Sequence, residues 1–298
     1  MIARPIKTIS VIGAGSWGTA LARLLALKGF TIRLWAYEQE VVRSIQTTHC
    51  NTVFLPNILL PDSLSATHSL VEAIDSTDLL LLAVPSHAMH SILEQLGPHL
   101  PDPLPVTIAT KGIEEGSFHL MSTVVESVLP SSWHPYLTVL SGPSFANEVC
   151  QGKPTTILLA GKTTDLVTQL QQVFLSPQFR VYAGQDIIGA QIGGALKNVM
   201  AIASGIVDGL DLGFNTRAAL ITRGLAEMIR LGVAMGAEVS TLYGLSGLGD
   251  LVLTCTGSLS RNYTVGLTLG RGSSLDEILS HMTTVAEGIR TTSAEMGL

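Results

Sequence analysis

The segment VIGAGSWGTALA, residues 11–22, restricts the fold of this chain more than any other stretch. It sets Gly13, Gly15 and Gly18 in a GxGxxG spacing, directly after a β-branched run and directly before a helical one. In such a strand–turn–helix the first glycine makes the tight turn, the second lets the backbone approach a pyrophosphate, and the third allows close helix packing. The N-terminus of the helix then offers amides and a partial positive charge to a phosphate. The plainer alternative is a glycine turn with only a packing role. The surroundings favour dinucleotide binding, because the turn opens a long series of alternating strand and helix patterns.

Those patterns set the fold class. Strand-like runs occur at 7–15, 31–37, 78–85, 106–110, 137–142 and 155–161, with helical segments between them. This alternation predicts an α/β fold, a Rossmann-type doubly wound sheet followed by a C-terminal all-α domain. Past Asp186 the strand signal fades and helical segments such as 215–237 take over. The expected division is 1–185, a dinucleotide-binding domain, and 186–298, a helical substrate and catalytic domain. Ser86 is placed to cap the helix after the third strand. The two prolines of FLPNILLPDS, 54–63, predict a rigid surface loop. The last stretch, TTVAEGIRTTSAEMGL, reads as a helix cut short, so the helical domain is expected to continue beyond it.

The end of the second strand bears on the choice of dinucleotide. An acidic residue about 20 positions past the glycine motif suits the ribose 2′-hydroxyl of NAD. Here Tyr37 and Glu38 stand there, while Arg33 and Arg43 are near enough in sequence to suit a 2′-phosphate. The sequence admits NAD or NADP.

Composition excludes several classes. A net charge of −6 argues against a broad nucleic-acid surface. Cys50, Cys150 and Cys255 are too few and too scattered for a disulfide framework or a zinc site, which fits a reducing compartment, the cytoplasm. They read as small buried apolar residues. His87 and His90 lie three apart without a third ligand, and no metal is expected. The N-terminus shows no signal peptide.

One lysine needs explaining. Lys197 is the last of six in the chain and sits within 187–207, a run otherwise free of charge. The run is long enough to test as a membrane span, but Gln191, Lys197, Asn198 and four glycines argue for a buried helix in place of an integral membrane segment. On that helix Ala190, Gly193, Gly194, Lys197, Ala201 and Ser204 share one small-residue face, open to approach by a substrate or another backbone. A buried cation needs a partner or a purpose. Candidates lie elsewhere in the chain. Lys111 follows a strand, and Ser144 follows the next one in a glycine-proline turn. Asp250 follows a glycine-rich turn, and Ser260, Arg261 and Asn262 begin a helix. Together they suggest a phosphorylated small-molecule substrate. Each also has a plainer reading: a solvated loop charge, a turn residue, a helix cap, a capped helix start.

The set GAGSWGTALA, VPSH, ATKGIE, SGPSFANE, GGALKNVMAIASG, TRGLAEM, GLGDLVLTCT, SRN and VAEG, running from residue 9 to about 288, resembles the NAD(P)-dependent glycerol-3-phosphate dehydrogenases of the bacterial soluble type. The resemblance implies reduction of dihydroxyacetone phosphate to sn-glycerol 3-phosphate, the entry to glycerophospholipid synthesis. It makes Lys197 the catalytic residue and Asp250 a substrate-site carboxylate. It adds Lys111, Gly142, Ser144, Ser260, Arg261 and Asn262 as substrate contacts. For the cofactor it implies Gly13, Gly15, Ser16, Trp17, Gly18, Tyr37, Lys111, Ala146, Arg261 and Glu287. Tyr37 departs from the basic residue or histidine that relatives often carry there. A homodimer is compatible with the resemblance.

On this reading Lys197 hydrogen-bonds the ketone oxygen and protonates it as hydride arrives from the nicotinamide. Desolvation lowers the lysine's proton affinity, while Asp250 and the substrate phosphate raise it. Two rivals remain at the level of sequence: another two-domain hydroxyacid or sugar-phosphate dehydrogenase, and a protein that senses NAD(P) without chemistry.

Overall fold

The strand and helix runs assemble into one mostly parallel main sheet in the computed structural model, which describes residues 5–100, 102–281 and 288–289. The chain divides into two units. The first takes in the chain up to Thr110, then Met121–Leu140 and Ser144–Gln185. The second takes in Lys111–Leu120, Ser141–Pro143 and the chain from Asp186 onward.

In the first unit β1 (Thr8–Ile12) leads through the glycine turn into α1 (Ser16–Leu27), β2 (Thr31–Trp35) and α2 (Gln39–Thr48). A short antiparallel hairpin, β3 (Cys50–Asn51) with β4 (Leu55–Leu59), comes next. Then follow β5 (Leu64–Thr67), α3 (Leu70–Ile74), β6 (Leu79–Leu82), α4 (Met89–Leu96), β7 (Val106–Ile108) and α5 (Met121–Val128). The unit closes with β8 (Leu137–Ser141), α6 (Ala146–Cys150), β9 (Thr155–Gly161), α7 (Thr164–Phe174) and β10 (Phe179–Gly184). The sheet order is β10-β9-β8-β7-β6-β1-β2-β5, and six neighbouring pairs, β10-β9, β8-β7, β7-β6, β6-β1, β1-β2 and β2-β5, are parallel. The order reverses between β1 and β6, the switch point at which ligands bind beyond the strand ends of such sheets. β6, Leu-Leu-Leu-Leu, is buried throughout, as a strand covered on both faces must be.

Three local expectations are corrected. β5 and β10 are edge strands in which buried and more exposed residues alternate, as in Leu64-Ser65-Ala66, so they lack the continuous apolar run that marks the central strands. The expected loop at 54–63 contains β4, where Asn57 takes a positive φ of 64° beside Pro56. Pro85, and not Ser86, occupies the cap position after β6, and Ser86–Ala88 form a 3-10 turn leading into α4.

The second unit is built around α8 (Ile187–Gly209). Asp186 starts that helix, its carboxylate accepting from the Gly189 amide at 2.7 Å. Next come α9 (Gly213–Ala234), α10 (Val239–Tyr243), a π turn at Leu245–Gly249, α11 (Asp250–Thr256), α12 (Arg261–Gly270) and α13 (Leu275–His281). α9, α11 and α12 all pack on α8. Ile192, Ala195 and Leu196 join Met228, Leu251 and Cys255 in the core. Among the described residues α8 is the one helix long and apolar enough to cross a membrane, and 72% of its apolar window is buried in this packing.

Glycines bring α8 and α12 together. A Cβ on Gly266 of α12 would lie 1.9 Å from the Ile202 carbonyl oxygen, and one on Gly205 of α8 would lie 2.1 Å from that of Tyr263. Those neighbours are backbone atoms and cannot swing aside. Gly266→Ala is therefore expected to lower unfolding free energy by about 1–3 kcal/mol or more, read as a reduced urea midpoint. An unchanged midpoint would mean that the two helices separate freely.

Candidate active site

The lysine in α8 meets its partner inside the second unit. Gly193, four residues and one helical turn before Lys197, has no side chain, and a Cβ there would lie 2.2 Å from the Ser246 carbonyl oxygen. Gly247 is equally constrained, since its Cβ would lie 1.9 Å from the Leu242 carbonyl oxygen. Gly193 thus lets the π turn lie directly on α8, with Asp250 at the end of the turn, while Gly247 lets the turn fold back on Leu242 of α10. Lys197 Nζ donates to Asp250 Oδ1 and, at 3.0 Å, to Thr254 Oγ1. Lys111 Nζ donates to the other carboxylate oxygen, Oδ2, at 2.7 Å and to the Gly142 carbonyl at 3.2 Å. Gly142 holds a φ of 151°, a conformation that favours glycine. One carboxylate therefore serves two ammonium groups from separate parts of the chain.

The surroundings are dry. The side chains of Asp250 and Lys197 are 1% and 8% exposed, and that of Lys111 is 18% exposed. Burial pulls the Lys197 ammonium down from the ordinary lysine value to about 7; the Asp250 charge opposes that shift and the Lys111 charge adds to it. Lys197 can thus exchange a proton near neutrality. With both lysines protonated the cluster carries a net positive charge and suits an oxyanion. Cys255 lies close enough to feel these charges, but burial pushes its thiol up to about 12, so it packs as a small apolar residue.

Ser260 caps α12, its Oγ accepting from the Tyr263 amide at 3.2 Å. Asn262 donates from Nδ2 to Asn198 Oδ1 at 3.0 Å, which ties the start of α12 to the residue beside Lys197. Its own Oδ1 accepts from the Gly288 amide at 2.9 Å. Arg261 is exposed and lines a cleft of about 570 Å³ beside α12 and α13. Asn198 and Thr254 were not among the sequence candidates. Their signals were present: Asn198 adjoins the lysine, and Thr254 lies four residues after Asp250 on one helix face.

In the first unit the glycine turn has the geometry of a phosphate cradle. Gly13 has a φ of 115°, and a Cβ there would lie 2.6 Å from the Ala83 carbonyl oxygen. A Cβ on Gly18 would lie 1.9 Å from the Gly13 carbonyl oxygen, so helix and turn touch. Gly15 is different: no atom lies within 4 Å of a Cβ built there, and it caps α1 without a side-chain hydrogen bond. The turn thus presents an open backbone at a helix N-terminus, which fits the pyrophosphate of a dinucleotide. The Trp17 indole N–H is buried without a partner. Ser16 donates to the Phe54 carbonyl at 2.6 Å, and Asn51 donates to the Ala14 carbonyl at 2.8 Å, so the β3–β4 hairpin braces the turn. Tyr37, 73% exposed just past β2, stacks edgewise on Trp35 and lies 6.3 Å from the His68 ring. Ser144 and Ala146 are half-buried around the start of α6. Glu287 lies outside the described residues.

Comparison with known proteins agrees with this division of labour. Residues 8–167 match the N-terminal family of NAD-dependent glycerol-3-phosphate dehydrogenase, and residues 186–298 match its C-terminal family. The chain belongs to the NAD-dependent glycerol-3-phosphate dehydrogenases. A glycerol-3-phosphate dehydrogenase [NAD(P)+] of Geobacter metallireducens is 54% identical over 285 residues, covering 96% of this chain and 85% of the relative. The crystal structure of the Coxiella burnetii glycerol-3-phosphate dehydrogenase superposes with a TM-score of 0.94 at 42% identity, covering 98% of this chain and 89% of that one. The Saccharomyces cerevisiae enzyme superposes with a TM-score of 0.82 at 30% identity, with the same coverage of both chains. The open glycine turn and Lys111 fall in the first matched region, and Lys197 and Asp250 fall in the second.

Proposed function

We propose that this chain reduces dihydroxyacetone phosphate to sn-glycerol 3-phosphate with NADH or NADPH, reversibly, and so feeds glycerophospholipid synthesis. The observation that carries the chemistry is the buried Asp250 carboxylate shared by Lys197 and Lys111. Lys197 holds a proton near neutrality and gives it to the ketone oxygen, which becomes the new hydroxyl. The bound nicotinamide supplies the hydride. Asp250 and Thr254 orient the Lys197 ammonium, and Lys111 adds positive charge where the oxygen becomes negative. Gly142, Ser144, Ser260, Arg261 and Asn262 hold the phosphorylated substrate, with the Arg261 fork suited to a phosphate. Gly13, Gly15, Ser16, Trp17, Gly18, Tyr37, Lys111, Ala146, Arg261 and Glu287 serve the cofactor. Functionally, residues 1–185 form the dinucleotide-binding domain and 186–298 the helical substrate and catalytic domain, with Lys111, Gly142 and Ser144 reaching the substrate from the first segment. The three free cysteines support a cytoplasmic setting, and the proposed assembly is a homodimer, to be read by analytical ultracentrifugation.

The test is the loss of reduced-nicotinamide absorbance on adding dihydroxyacetone phosphate, run with NADH and NADPH in parallel and with unphosphorylated dihydroxyacetone as control. Phosphate-dependent oxidation is expected. Retained cofactor binding with no oxidation would remove the assignment.

The direction of the pH dependence follows from Lys197. Reduction needs the ammonium and oxidation needs the free amine, so kcat/KM for reduction is expected to fall as pH rises through about 7, while kcat/KM for oxidation rises through the same range. Profiles that slope the same way in both directions would exclude Lys197 as the group that exchanges the proton.

A further inference from the structure

The first turn of α12 carries the three residues assigned to the phosphate, and something must fix its rotation on α8. Two consecutive side chains do so. Asn262 reaches Asn198 at 3.0 Å, and Tyr263 donates its hydroxyl to Asp208 Oδ2 at 2.6 Å. The two anchor points on α8 are ten residues apart, about 15 Å along the helix axis. The two side chains leave α12 about 100° apart around its own axis. One anchor would let the helix start turn about that contact; two so placed hold both its position and its rotation.

The Asp208 end of the clamp is itself braced. Arg217 from α9 donates to the same carboxylate oxygen, so Asp208 joins the end of α8 to α9 and α12. The Tyr263 hydroxyl is held protonated by the hydrogen bond it gives Asp208, with burial adding to the effect, and it remains a donor across the working pH range. Immediately behind it, the Tyr263 carbonyl lies where Gly205 leaves room for backbone contact. Tyr263 also donates its amide to the Ser260 cap. The residue is therefore tied at its amide to one member of the phosphate group and at its ring to the scaffold, while Arg261 and Asn262 lie between.

We propose that Tyr263, through its hydroxyl on Asp208, is a positioning residue that sets the orientation of Ser260, Arg261 and Asn262 and hence the enzyme's preference for a phosphorylated substrate. This rests on the reading of those three residues as the phosphate site. It assigns Tyr263 no contact with substrate or cofactor.

The test compares Tyr263→Phe and Arg261→Ala with the unaltered chain, using dihydroxyacetone phosphate and unphosphorylated dihydroxyacetone as substrates. Tyr263→Phe keeps the ring and removes only the hydroxyl. It is expected to raise KM for the phosphorylated substrate by about 5-fold or more, with kcat within about 2-fold, as loss of a hydrogen bond to a charged group implies. Its kcat/KM for the unphosphorylated ketone is expected to stay unchanged, and a thermal melt checks the fold. Equal losses toward both ketones would reduce Tyr263 to a general structural role, and an unchanged KM would remove the clamp altogether. Arg261→Ala separates the two failures. It is expected to abolish most of the preference for the phosphorylated ketone; a preserved preference would overturn the phosphate-site reading and the role of Tyr263 with it.

Discussion

Lys197→Ala is expected to remove nearly all turnover and leave cofactor affinity unchanged. The hydrogen-bond partners of Lys197 are Asp250 and Thr254, and no residue of the glycine turn at 13–18 is among them. A positioned general acid contributes about 10²–10⁴ in rate, and a loss in that range is the expected effect on kcat. The fold should survive, because Asp250 keeps Lys111 as a partner at 2.7 Å and is not left as a lone buried charge. Lys197→Arg should not restore activity, since a guanidinium does not release its proton at any working pH. Single-turnover nicotinamide oxidation reads the first quantity, and quenching of NADH fluorescence reads the second. Near-normal turnover in Lys197→Ala would move the proton-donating role to Lys111, the other ammonium on the same carboxylate.

The parts of this molecule that were legible in the sequence are those whose cause is local. The glycine turn at 13–18 can be read because the whole device, a tight turn and a helix start, spans six residues. Lys197 stands out because one charge in an apolar run needs an explanation. The central strands announce themselves by unbroken apolar runs, whereas the edge strands β5 and β10 alternate and are missed. Contacts between distant segments leave weaker traces. Gly205, Gly209, Gly266 and Gly270 repeat at a spacing of four on two helices, but only the fold reveals that the pairs face each other. The same holds for Tyr263 and Asp208, 55 residues apart, where neither residue type marks a site by itself. Asn51 is a third case, an amide in the short strand β3 that braces the glycine turn 37 residues away.

Asp250→Asn should have the next largest effect, and it separates a working carboxylate from a charge that only serves the first turn of α11. Asp250 is the first residue of α11, with Gly249 in the cap position, so a role as a first-turn charge alone would cost about 0.3–1 kcal/mol when removed and would leave the pH profile unmoved. The geometry predicts more. With a neutral amide between them, Lys197 and Lys111 become two like charges in a dry site, each having lost its ionic partner. Breaking a buried pair costs about 3–5 kcal/mol, and that is the expected loss of stability at low pH. The sign of the pH dependence follows. Folded Lys197 already binds its proton less tightly than the unfolded chain does, and the Asp250 charge is what opposes that shift. Without it the folded state releases the proton at lower pH still, so the mutational penalty should shrink as pH rises and the lysine becomes neutral. For the same reason the falling limb of the reduction profile should move to lower pH, and kcat at neutral pH should drop because less of the enzyme carries the proton to be given. Urea unfolding across the pH range and the reduction profile measured on the same preparation test both halves. A pH-independent loss of about 1 kcal/mol with an unshifted profile would reduce Asp250 to a first-turn charge on α11 and leave the depressed proton affinity of Lys197 to burial alone.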